Sequence, residues 1–172
     1  MDSETSFLIK VTETAMEIEH TGILFYFSSA DSAKEKAEKE VLTFLGTQEE
    51  RHLAFFKKLH DMLVEGASIR DMPEYEGKRF DMPPRPKIFP TKAEMQGKGY
   101  SNVVEEGIKA EDRSISFYTS AATQLSKPVA KKVFETIIGE EKKHKELLEF
   151  QRDVLEQHGI WTGMEEHARL EG

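Results

Sequence analysis

Glu19, Glu49 and His52 recur 92 positions along as Glu111, Glu141 and His144, and the first half of the chain lies on the second without a gap. The same shift carries Phe25-Tyr26 onto Phe117-Tyr118 and Val41 onto Val133, and Glu19 stands 30 residues before Glu49 just as Glu111 stands before Glu141. A repeat kept only for packing would match mainly at apolar positions. Here the matched positions include charged ones, so the chain reads as two copies of one unit that places a Glu and a His in equivalent surroundings each time.

Each copy reads as a helix pair, with apolar residues recurring at steps of three and four. The first stripe runs Leu8, Thr12, Ala15, Glu19, Gly22, Tyr26, Ser29, Ala33, within a helix from about Ser6 to Ala33. The second runs Leu42, Leu45, Glu49, His52, Phe56, Leu59, Leu63 and ends near Glu65. The third is Val104, Ile108, Glu111, Ile115, Tyr118, Ala122, and the fourth is Phe134, Ile137, Glu141, His144, Leu148, Leu155. The first turn falls within Asp31 to Lys36. Ser32-x-x-Glu35 has the form of a capping box there, while the repeat puts the break slightly later. Ser101 or Asn102 is expected to cap the third helix. Pro128, after Leu125-Ser126-Lys127, suits the start of the fourth, where its missing N–H does no harm, and Gly159 suits that helix's end. Gly22, one turn after Glu19, leaves room for a bulky group to approach.

Between residues 66 and 100 the pattern collapses. Five of the six prolines lie here, Pro73, Pro83, Pro84, Pro86 and Pro90, which excludes a continuous helix. So long a connection suits a crossover along a bundle, letting the helices it joins run parallel; Thr91-x-x-Glu94 is expected to cap a short turn within it. The expectation is an all-α four-helix bundle in one domain over residues 1–172. It has a helix pair at about 6–65, a crossover at about 66–100, a second pair at about 101–159 and a polar tail over 160–172, frayed from Thr162.

Glu and His stand in the core stripes where Leu would be expected. A buried carboxylate costs several kcal/mol unless it is paired, protonated or bound to a cation (about 3–5 kcal/mol when left alone). Residues three apart on a helix project side by side and can hold one metal ion. A lone Glu-x-x-His in a Glu-rich chain is more often solvated, and Glu17-x-x-His20 is such a decoy: both residues lie off the stripe and fall on Lys109 and Asp112 in the second copy. His20, His60, His158 and His167 have no matched partners and read as surface or structural residues. Phe25, Phe55, Phe56 and Phe117 read as core, and Lys34 to Glu40 as a solvated face. Tyr26 and Tyr118 fit two readings, core aromatics with a satisfied hydroxyl or donors to the acidic cluster.

The net charge of −8 argues against nucleic acid and anionic membranes as main partners. No apolar run approaches the roughly 20 residues of a membrane span, and the N-terminal segment MDSETSFLIK lacks the pattern of a secretory signal. A cytoplasmic location fits. With no Cys, any metal must be held by His and carboxylates, with no iron–sulfur or rubredoxin-type site.

Four glutamates and two histidines on four inward faces coincide with the general ligand pattern of ferritin-like di-metal bundles. Four carboxylates and two divalent ions also sum to zero charge. The motifs Glu19-x6-Tyr26, Glu49-x-x-His52, Glu111-x6-Tyr118 and Glu141-x-x-His144 resemble, in order and spacing over roughly residues 10–155, the rubrerythrin family, in particular members without a rubredoxin domain. The resemblance implies two iron ions, with Zn or Mn able to occupy the same site. It implies that Glu49 and Glu141 bridge them, that Glu19 and Glu111 are terminal carboxylates, that His52 and His144 bind one ion each, and that Tyr26 and Tyr118 donate hydrogen bonds around the site. It also implies a di-iron oxidoreductase that reduces hydrogen peroxide or dioxygen, an external electron-donor protein and a homo-oligomer, expected as a dimer. An iron-binding, ferroxidase or storage module and a metal-holding scaffold are the rival readings. Two departures bear on turnover: where the family usually has a further Glu, three residues after the third-helix ligand, this chain has Ser114, and the rubredoxin domain that would deliver electrons is expected to be missing, consistent with the lack of Cys.

Overall fold

The computed structural model describes residues 3–66, 89–90, 92–95, 100–126 and 128–164. Four long helices, α1 (Ser3–Ser32), α2 (Lys36–Val64), α4 (Tyr100–Thr123) and α5 (Pro128–His158), form the bundle, with the single-turn α3 (Lys92–Met95) ahead of α4. Lys36 and Pro128, the first residues of α2 and α5, are themselves 92 positions apart, so the duplication extends to the helix starts.

Each pair closes through a short turn. Between α4 and α5 the fully buried Leu125 anchors it, its N–H bonded to the Ala122 carbonyl at 3.1 Å. Across the bundle, Tyr26 of α1 meets Glu111 of α4 while Tyr118 of α4 meets Glu19 of α1. The later residue of each helix thus faces the earlier residue of the other, so α1 and α4 run antiparallel. Since α1 and α2 are also antiparallel, α2 and α4 run parallel, and a long crossover must join them.

The four stripes meet in one core. Leu8, Leu42, Leu45, Leu59, Leu63, Val104 and Leu148 are completely buried, each such aliphatic side chain contributing about 1.5–3 kcal/mol. Phe56 stacks on Tyr118 with ring centroids 5.5 Å apart, and Phe134 lies against both. The space above Gly22 is taken by Phe89: a Cβ at Gly22 would lie 3.0 Å from the Phe89 ring and 3.2 Å from Cγ of Glu49. Glycine at this position therefore lets the connection press an aromatic ring onto α1 beside the acidic cluster. Phe89 also packs edge-on against Tyr26 at 5.7 Å.

Four sequence expectations need correction. Ser32 closes α1, and the capping box belongs to Glu35 and Glu38, with Oε2 of Glu38 accepting the Lys34 and Glu35 N–H groups at 3.0 and 3.5 Å. Glu38 is accordingly buried, not part of a solvated Lys34–Glu40 face. Helix α4 begins at Tyr100, ahead of the expected caps Ser101 and Asn102, since cap preference alone does not fix a start to better than a residue or two. The polar tail is not frayed at Thr162 itself, while residues 165–172 lie outside the described residues. Trp161 is buried, and the fully buried Gln151 of α5 grips Thr162, donating to its carbonyl at 2.9 Å and accepting its N–H at 3.1 Å. The short turn expected near Thr91-x-x-Glu94 is α3, though Thr91 itself, four of the crossover prolines and His167 lie outside the described residues.

Candidate metal centre

The repeat places Glu19 and Glu111 at the middle of α1 and α4, and Glu49-x-x-His52 and Glu141-x-x-His144 at the middle of α2 and α5. All six residues are at least 96% buried. Their ligating atoms fall into two groups, each closing within 4.8 Å: Glu19, Glu49, His52 and Glu141, and Glu49, Glu111, Glu141 and His144. Glu49 and Glu141 belong to both. The two-fold pattern of the sequence thus becomes a two-fold pattern in space, with one His and one unshared Glu on either side of a shared carboxylate pair.

Both imidazoles turn Nδ1 inward. His52 Nδ1 lies 3.3 Å from Glu141, 3.6 Å from Glu49 and 3.7 Å from Glu19, and His144 Nδ1 lies 3.0 Å from Glu141 and 3.4 Å from Glu49. The rings stack 5.5 Å apart. On the flanks, the Tyr26 hydroxyl donates to Oε1 of Glu111 and the Tyr118 hydroxyl to Oε1 of Glu19. These bonds leave Oε2 of each carboxylate free to face the cluster.

One buried atom from each of the six residues has no hydrogen-bond partner: Oε2 of Glu19, Oε1 of Glu49, Nδ1 of His52, Oε2 of Glu111, Oε2 of Glu141 and Nδ1 of His144. A buried polar atom without a partner costs about 1–3 kcal/mol, and six converging ones call for cations to coordinate them all. The donor set, imidazole nitrogen with carboxylate oxygen, suits divalent iron, zinc or manganese.

In the metal-free protein, protons take the place of those cations. Burial, then the charges of Glu49 and Glu141, hold the Glu19 carboxyl well above the usual carboxylate range, and burial with the same two charges does so for Glu111. Burial alone would lower the histidines, but the surrounding carboxylates overcome it and raise both His52 and His144. Burial would raise Glu49, yet the nearby Glu19, His144 and His52 side chains bring it below the usual range. Burial, followed by the charges of Glu111 and Glu19 respectively, keeps Tyr26 and Tyr118 firmly protonated, so both remain donors.

A seventh residue was not foreseen. Glu140 of α5 bonds Nε2 of His52 at 2.8 Å from the outer side, and that bond holds the Glu140 carboxyl below its ordinary range. It lies beside Glu141 in sequence and off the core stripe, so periodicity does not flag it. The decoy pair Glu17 and His20 is exposed on α1, away from the cluster. His60 is half-buried near Glu13 and Asp61, and His158 is exposed at the end of α5. Among the described residues, no helix is long and apolar enough to cross a membrane.

A family model for rubrerythrin matches residues 8–150. No curated protein matches the chain. Among solved structures, a hypothetical protein from Pyrococcus furiosus is similar over 87% of this chain and 90% of its own length, with a TM-score of 0.64 and 21% sequence identity. A likeness at that identity speaks for the fold alone.

Proposed function

This chain belongs to the rubrerythrin family, and we propose from that premise that it is a non-haem di-iron oxidoreductase reducing hydrogen peroxide, or dioxygen, with electrons from an external donor protein. The observation that carries the reading is the pair of four-residue groups sharing Glu49 and Glu141, with an unsatisfied buried atom on every member. Glu49 and Glu141 would bridge two ions. Glu19 and His52 would complete one coordination shell, and Glu111 and His144 the other. The four carboxylates balance two divalent cations, which makes the loaded site neutral in a medium that penalises net charge.

When bound, a ferrous pair supplies two electrons and Lewis acidity, which is what cleavage of an O–O bond requires. The chain's own residues set the conditions. Tyr26 and Tyr118 fix the orientation of Glu111 and Glu19, each holding one carboxylate oxygen and leaving the other to the metal. Phe56 and Phe134 pack on Tyr118 and Phe89 on Tyr26, and the six cluster residues are themselves buried, so their charges interact strongly and bulk water is kept away. Iron is favoured by the family, while zinc and manganese suit the same donors. A homodimer and a donor protein docking outside the bundle belong to the same proposal, as does a cytoplasmic location.

Ser114 favours the second reading, an iron-binding, ferroxidase or storage module. It is buried in α4 one turn after Glu111, where the family usually has a carboxylate that would offset the charge added on iron oxidation. The test is stopped-flow mixing of the anaerobic iron-loaded protein with peroxide and, separately, with dioxygen. Much faster oxidation by peroxide supports the peroxidase; oxidation by dioxygen alone supports the ferroxidase, and no oxidation by either supports a metal-holding scaffold.

A further inference from the structure

The two halves of the centre match in their six candidate ligands and two tyrosines and differ immediately around them. His52 is held at both ends: Nδ1 faces the cluster, and Nε2 is bonded to Glu140 at 2.8 Å across the α2–α5 interface. The position equivalent to Glu140, 92 residues earlier, is Gln48. The amide oxygen of Gln48 accepts instead from Nη1 of Arg51 on its own helix, at 2.7 Å. Among the described residues, nothing bonds Nε2 of His144. One imidazole therefore has a carboxylate fixing its tautomer and ring plane and pushing electron density toward Nδ1, and the other does not.

We infer that the two metal positions are inequivalent, that the position framed by Glu19 and His52 binds a divalent cation more tightly than the one framed by Glu111 and His144, and that Glu140 is the positioning residue responsible. A hydrogen-bonded carboxylate behind a ligating histidine raises the basicity of the donor nitrogen and prepays its orientation. Loss of such a partner typically weakens metal binding by about 10–100-fold. The ligand sets are otherwise alike, each position having one unshared Glu, one His with Nδ1 inward, the same two shared carboxylates and one Tyr on the unshared Glu; the remaining inward difference is Gly22 under Phe89 against the buried Ser114. The inference rests on the metal-binding reading of the cluster but not on the identity of the metal or on any turnover.

The test uses Co(II) as the probe, titrated anaerobically into metal-free full-length protein and followed by its visible absorption and by calorimetry. Removing one histidine leaves one complete position to measure. His144→Ala is expected to bind Co(II) about 10–100-fold more tightly than His52→Ala. Adding Glu140→Gln should erase most of that difference by weakening only the His144→Ala protein. Gln48→Glu, which supplies the missing partner, should strengthen only the His52→Ala protein. A structural role for Glu140 would not produce that reciprocal gain. Equal affinities in the two single-histidine proteins, or a difference that survives Glu140→Gln, would overturn the inference while leaving the metal site intact. Failure of the unaltered protein to bind Co(II) at all would overturn the metal-binding reading itself.

Discussion

The hydroxyl of Tyr118 on α4 donates to a carboxylate oxygen of Glu19 on α1, a buried bond between residues 99 positions apart. Tyr26 and Glu111 make the same bond in the opposite sense, so each helix pair supplies the hydrogen-bond donor for the other pair's unshared carboxylate. The two copies of the repeat are thereby tied together at the centre of the bundle.

Tyr118→Phe should leave Oε1 of Glu19 buried without a donor and destabilise the protein by about 1–3 kcal/mol. It should also weaken metal binding by about 10–100-fold through loss of carboxylate orientation. Tyr26→Phe should do the same through Glu111. Denaturant unfolding and metal titration of the two variants check both effects; unchanged metal affinity in both would remove the tyrosines from the site's support.

The metal-free protein should lose stability as pH rises from 5 to 8. Glu19 and Glu111 are raised in the folded state, chiefly by burial. Above the ordinary carboxylate value of about 4.5 the unfolded chain therefore releases protons that the folded one keeps. His52 and His144 are raised by the carboxylates around them, so their contribution is complete below about 6.5 and declines above it. The contribution of Glu49, lowered on folding, is present above its unfolded value and is lost only in stronger acid. The expected slope is on the order of 1 kcal/mol per pH unit for each raised group between its unfolded and folded values. Urea unfolding of chelated protein at several pH values measures it; stability rising with pH over this range would contradict the assignment.

Metal loading should displace about four protons per chain, those on Glu19, Glu111, His52 and His144, because ligands bind cations in their deprotonated form. It should also raise the melting temperature, more at pH 8 than at pH 5. Calorimetry in buffers of different ionisation enthalpy counts the protons. A release of none would mean that the cations bind elsewhere.

Gln151→Ala should undock the segment after α5. Both backbone groups of Thr162 lose their partners, at a cost of about 2 kcal/mol, and Trp161 gains exposure to solvent. As the protein has one Trp, a red shift in its emission reports the change directly.

The six cluster residues were legible because duplication singles out what helical periodicity alone does not: a Glu and a His in place of Leu, twice, at one offset. The parallel run of α2 and α4 was legible from the length and proline content of the connection. Glu140 was not, since a helix turns about 100° per residue and a side chain next to a core position points toward a neighbouring helix or solvent. Of the two breaks open to the sequence, the later one set by the repeat is the one observed, because Glu38 supplies the reciprocal bond that makes Glu35 rather than the commoner Ser the cap. Gln151 could have been found: it lies one turn after Leu148 and one turn before Leu155 on the same stripe, where a polar residue must either face water or hold something inside.

The central claim is that two cations share Glu49 and Glu141, and a crystal structure of iron-loaded protein with anomalous data collected across the iron absorption edge tests it most directly. Two anomalous peaks between α2 and α5 are expected, one against Glu19 and Nδ1 of His52 and the other against Glu111 and Nδ1 of His144, with both shared carboxylates reaching both peaks. Peaks at Glu17 and His20, a lone ion, or a cluster closed by its own ion pairs with no iron would contradict it.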